Sequence, residues 1–136
     1  MIRFNEYQVL DRHFILVDGR VLDVTRFRKR ELVHALCLAN GAEGLAIVEN
    51  SDAADFGVTA FGRDGLSVPA TPALLASTVA FADVLGVKPF HTRDYTVENS
   101  GSVHTALISS HLGETKQVSI DGSAPIEVLN LGDLVE

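Results

Sequence analysis

The sequence predicts an α+β fold in which a strongly curved, mostly antiparallel sheet encloses one helix. Three observations carry that expectation. Residues 71–86 have helical spacing yet are apolar all round, with Leu74, Leu75, Thr78, Val79, Ala82 and Leu85 on one side and Ala76, Ala80, Phe81 and Val84 on the other. A helix with no polar face has to be enclosed by other elements. From Arg93 to Leu131 the helical period disappears, and short β-branched runs alternate with turns at Asn99-Ser100-Gly101, Leu112-Gly113-Glu114 and Asp121-Gly122, which reads as a β-meander. Between the chain start and the apolar helix lie further strand signals, so strands outnumber helices.

Taken in order, residues 2–10 and His13-Phe14-Ile15-Leu16-Val17 read as two strands, or one bent strand, stopped at Asp18-Gly19. A helix is expected over 25–39, with Asp23 or Thr25 as N-cap, Leu32, Val33, Leu36 and Cys37 inward, and Asn40-Gly41 as its left-handed stop. Its first turns carry Arg26, Arg28, Lys29 and Arg30, where the macrodipole disfavours positive charge by a few tenths of a kcal/mol each. A solvated face offset by acids explains most such clusters, and docking of an acidic ligand is the alternative. Gly44–Glu49 and Phe56–Phe61 read as a hairpin joined by Asn50-Ser51-Asp52. After Asp64-Gly65, Thr71 suits the N-cap and Pro72 the first position of the apolar helix, which Gly86 and Pro89 end.

Composition sets the class. The 136 residues are one domain's worth, so a single domain over 1–136 is expected. A hydrophobic content of 46% excludes disorder, and no apolar run is long enough to span a membrane. A net charge of −7 opposes binding to nucleic acid phosphates. With no signal-like start and one cysteine, Cys37, the expectation is a cytoplasmic protein without disulfides. His13, His34, His91, His104 and His111 show no metal-ligand spacing, and no cofactor fingerprint is present, so neither a metal nor a cofactor is expected.

The order of elements and several short strings resemble one lobe of the diaminopimelate epimerase-like superfamily, which includes the epimerase itself and the phenazine-biosynthesis PhzF-like isomerases. The strings are His13–Asp18, Leu36-Cys37 through Gly44–Glu49, Asp64-Gly65, and Thr96-Val97-Glu98-Asn99-Ser100-Gly101. The resemblance implies a β-barrel wrapped around the central helix. It also implies that the chain is half of a two-lobed enzyme, paired as a homodimer or with a second lobe-like subunit around a cleft that takes a small carboxylate-bearing molecule.

The epimerase opens its central helix with a catalytic cysteine followed by Gly-Asn-Gly; here Thr71-Pro72-Ala73 stands in that place, and Pro72 removes an amide donor. Cys37 matches a structural cysteine of the family, so two-cysteine racemisation is excluded for this chain alone. Arg12 and His13 replace the asparagine and aspartate of the first motif. In the PhzF-like branch a Gly-His-Pro-like step resembles Ala70-Thr71-Pro72, and a proton-shuttling glutamate resembles Glu43. The resemblance therefore implies Glu43 and His13 as acid–base residues and Thr71, Ala73, Asp64 and Arg12 as ligand-facing ones, in a cofactor-independent isomerase. Each also has a plain structural reading: Thr71 as helix cap, Asp64 as turn residue, Glu43 as an exposed acid, His13 as a half-buried strand histidine. A non-catalytic lobe that binds a ligand or a partner protein is the rival reading.

Overall fold

The computed structural model describes residues 3–20, 29–89 and 92–135. Two chain reversals build the first half: β1 (Arg3–Val9) and β2 (Arg12–Asp18) form an antiparallel hairpin, and β3 (Ala42–Glu49) and β4 (Phe56–Gly62) form another. The helix α1 (Arg30–Asn40) carries the chain from β2 to β3, which pair in parallel. A two-residue strand, β5 (Ser67–Val68), folds back on β4 and leads into α2 (Pro72–Leu85). The meander follows as β6 (Asp94–Asn99), β7 (Ser102–Leu112), β8 (Thr115–Ile120) and β9 (Ile126–Val135), each antiparallel to the next. β9 pairs with β1, β6 pairs in parallel with β4, and the β3–β4 ladder closes an eight-stranded mixed barrel, with β5 added on β4.

Strand alternation sorts the apolar residues into two cores. Tyr7, Val9, Phe14, Leu16, Ala46, Val48, Val97 and Ala106 point into the barrel and pack on α2. Phe4, Ile15, Val17, Leu45, Ile47 and Phe61 point outward, where Val33 and Cys37 of α1 cover them. α2 is buried without interruption from Leu74 to Ala82. Its two polar residues there are satisfied within the helix, Ser77 donating to the Ala73 carbonyl (3.0 Å) and Thr78 to the Leu75 carbonyl (2.7 Å). Each enclosed leucine, valine or phenylalanine contributes about 1.5–3 kcal/mol on burial.

The apolar helix starts and stops where its sequence signals place it: Thr71 accepts from Leu74 N–H at 3.2 Å, Pro72 is the first residue, and Gly86 adopts the left-handed conformation. The start of α1 differs from the expected 25–39. Lys29 has an extended backbone and caps the helix without a side-chain hydrogen bond, so the helix begins at Arg30. There the chain meets the turn after β4: the Arg30 guanidinium donates to the Asp64 carbonyl at 3.2 Å, and this contact fixes the first turn. The expected caps Asp23 and Thr25, and Arg26 and Arg28 of the basic cluster, lie outside the described residues.

A polar anchor holds the far end of α2. Asp83 accepts from the Lys116 ammonium at 2.6 Å and from the Tyr95 hydroxyl at 2.8 Å, tying the helix to β8 and β6. Lys116 is only 6% exposed. Burial alone would raise the Asp83 carboxyl, but the hydrogen bonds from Lys116 and Tyr95 and the Lys116 charge outweigh it and hold the group below its ordinary 3.8. A carboxylate with a depressed folded-state value stabilises fully above the unfolded value and loses that contribution as pH falls through the folded one. Urea unfolding should therefore find Asp83→Asn less stable than wild type at pH 7. The variant should also lose less stability than wild type between pH 5 and pH 2; an equal acid loss in both proteins would contradict the anchor.

Candidate active site at the open end of the barrel

Strand register brings the residues singled out above to one end of the barrel. β1 ends and β2 begins there, His13 lies opposite Ala42 at the start of β3, and Gly44 lies opposite Gly62 at the end of β4. The chain then passes through β5 to Ala70, whose N–H donates to the Asn99 side chain at 2.9 Å. Asn99 ends β6, which runs parallel to β4, and its amide also donates to the Val58 carbonyl at 3.0 Å. α2 thus opens at the same end as Arg12, His13, Glu43 and Asp64.

Sharing an end does not make them one cluster. Phe14 and Leu16 face α2, so alternation puts His13 on the outer side with Ile15 and Val17, where its Nδ1 meets Glu6 Oε1 at 2.6 Å. Arg12 is exposed beside the turn at Leu10-Asp11. Glu43 is 45% exposed at its side chain and pairs with Arg63, which also donates to the Ala42 carbonyl. The Arg63-Asp64-Gly65 turn is held against α1, with Arg63 offering its carbonyl to His34 at 2.9 Å. The Asp64 carboxylate is occupied inside the turn, accepting from Leu66 N–H at 3.1 Å.

At the mouth of α2 the donors can be followed one by one. Pro72 has none, Leu74 N–H is bound by the Thr71 hydroxyl, and Leu75 N–H by the Thr71 carbonyl at 2.9 Å. Ala73 N–H is left as the first-turn amide free to meet a ligand among the described residues. The helix dipole adds a partial positive charge at this point. Thr71 and Pro72 are exposed; one depression of about 560 Å³ is lined by Lys88, Tyr95, Thr105 and Ser123, and another of about 440 Å³ by Asp83, Lys88 and Lys116 at the far end of α2. Cys37 is fully buried under α1, and burial pushes its thiol up to about 11, so it is not a thiolate near neutral pH.

Sequence reasoning passed over one arrangement at this end. His104 lies opposite Val97 on β7, and its Nδ1 meets Asp121 Oδ2 at 2.7 Å. The other Asp121 oxygen accepts Thr105 N–H at 2.9 Å. The His104 contact first, and the Thr105 N–H second, hold the Asp121 carboxyl below its ordinary value. The turn at Ser100-Gly101 was the available signal: a two-residue loop fixes the register that puts His104 beside Val97.

No family model matches the chain, and no curated protein matches it in sequence. Solved structures do match in fold. A PhzF-family phenazine biosynthesis protein from Bacillus anthracis superposes with a TM-score of 0.68 at 13% identity, over 88% of this chain and 40% of its own. The chain has a diaminopimelate epimerase-like fold. A probable proline racemase from Agrobacterium radiobacter, solved with bound carbonate, gives 0.64 at 11% identity over 88% of this chain and 41% of its own. A methylitaconate-delta-isomerase gives 0.62 at 15% identity over 97% and 70%. The chain spans about two-fifths of the length of the first two.

The turn that carries Asp64 gives a direct check on how this end is built. Gly65 has φ +82°, and a Cβ there would overlap the Arg30 carbonyl oxygen, whereas Gly41 (φ +63°) has nothing within 4 Å of the same position. Gly41→Ala should cost about 1–2 kcal/mol, for backbone strain alone. Gly65→Ala should cost clearly more in urea unfolding, because α1 has to move; equal costs would contradict the packing of this turn on α1.

Proposed function

We propose that the chain binds a small carboxylate-bearing molecule at the open end of the barrel and that a second copy of the chain covers that end to complete the site. The observation that carries this is the mouth of α2: an enclosed helix whose first turn presents the Ala73 N–H, with Thr71 and Pro72 exposed beside it. A carboxylate held there in open water gains little from the helix dipole, because water and salt screen it. A second lobe that excludes water would strengthen every charge interaction in the gap. The two-fifths span of this chain against the racemase and PhzF-family structures supports the same pairing.

In the paired form the reaction is cofactor-independent proton movement within the bound acid. Glu43 is the proton carrier, released from Arg63 when the substrate carboxylate competes for that guanidinium, while His13, facing outward and held by Glu6, stands apart from the reacting groups. Thr71 and Ala73 hold the carboxylate, while Arg12 and Asp64 line the rim.

The Glu43–Arg63 pair also favours a second reading. A half-exposed carboxylate already engaged by the Arg63 guanidinium is explained by that ion pair alone, so a non-catalytic ligand-binding lobe fits the same geometry.

Incubation with α-amino acids and cyclohexadienyl acids in D₂O separates the two readings. The isomerase reading expects solvent deuterium in at least one acid and a fall of about 10²-fold or more in Glu43→Gln. No exchange with any acid, together with thermal stabilisation by one of them that survives Glu43→Gln, would leave the non-catalytic lobe as the function.

A further inference from the structure

Resting on the reading of the α2 mouth as a carboxylate site, we propose that His104, oriented by Asp121, is a further ligand-facing residue of that site. Three observations lead there. Residues directly opposite in an antiparallel ladder share a face, and His104 is opposite Val97, which is fully buried in the core around α2. His104 therefore points to the inner side of the barrel wall, unlike His13.

Its position along the wall is also fixed. Ser102 faces Asn99, the residue that holds Ala70 N–H immediately before α2, and His104 is one pleat further, roughly 7 Å along the strand. The side chain keeps 26% exposure where the neighbouring inner positions Val97 and Ala106 are buried, so it lies at the barrel mouth and not in the core.

The third observation is orientation. Asp121 occupies the left-handed region (φ +52°) in its turn, with one oxygen fixed by Thr105 N–H and the other on His104 Nδ1. A carboxylate on Nδ1 selects the Nδ1–H form and leaves Nε2 free. When protonated, Nε2–H donates to a carboxylate at the α2 mouth; when neutral, Nε2 takes a proton from a bound acid. One ring nitrogen is thereby committed to the fold and the other left for a ligand. Asp121 acts only through His104, as a positioning residue.

The test is an NMR titration of the intact chain with succinate, acetate and benzoate as probes. It follows the His104 Cε1–H signal, assigned with His104→Gln, and the Ala73 amide. The proposal expects both signals to move saturably with one Kd, and His104→Gln to weaken that binding about 5-fold or more while the Ala73 amide still responds. In Asp121→Asn, ¹⁵N spectra should show loss of the single Nδ1–H form, together with weaker binding. Movement of Ala73 with no change at His104 would overturn the role of His104 and leave the α2 site standing. No response at either position to any probe would overturn both.

Discussion

Everything in this molecule follows from a helix that has no face to show to water. Fourteen residues, Pro72–Leu85, include nine consecutive buried positions. One flat sheet could cover only one side of such a helix, so the strands must surround it, and closure of β3 on β4 completes the wall. The two crossings that the closed order requires, β2 to β3 and β4 to β6, are the parallel pairs, and each is spanned by a helix. One of those helices is the enclosed α2 itself; the other, α1, covers the outer apolar stripe.

Enclosure also decides where chemistry can occur. The flanks of α2 are packed against the barrel wall, and at its far end Asp83 is tied to Lys116 and Tyr95 beside a depression of about 440 Å³. At the N-terminal mouth, Thr71 uses its own oxygens to satisfy two of the first-turn amides and Ala73 offers the third. A cradle reduced to one amide needs side chains around it. His104 meets that need from the inner wall, whereas Glu43 and Asp64 sit on the α1 side of the rim, engaged with Arg63 and with the turn backbone.

How far the sequence could be read depended on how local its signals were. The bounds of α2 were legible because Thr71, Pro72 and Gly86 each act on backbone within one turn of themselves. The meander was legible from its turn residues, and the inward set of α1 from its spacing. The start of α1 was not, because Lys29 owes its extended backbone to no capping side chain of its own, and the first turn meets a loop more than thirty residues away through Arg30, Asp64 and Gly65. The candidate site was only half legible for a similar reason. Sequence resemblance put His13 and Thr71 in one cleft, but the face a strand residue takes is set by register, which sends His13 outward with Ile15 and brings His104 inward with Val97.

The account stands or falls on whether the mouth of α2 is a covered surface. Pro72→Glu probes it with little disturbance to the helix, since an acid at the first helical position suits the dipole while placing a fixed carboxylate where a ligand's would bind. Sedimentation equilibrium of both proteins is the decisive measurement. The account predicts a concentration-dependent dimer for wild type, made tighter by succinate, and a folded monomer for Pro72→Glu that succinate leaves unchanged. A wild-type chain that stays monomeric with and without succinate, or a Pro72→Glu dimer as tight as wild type, would contradict it.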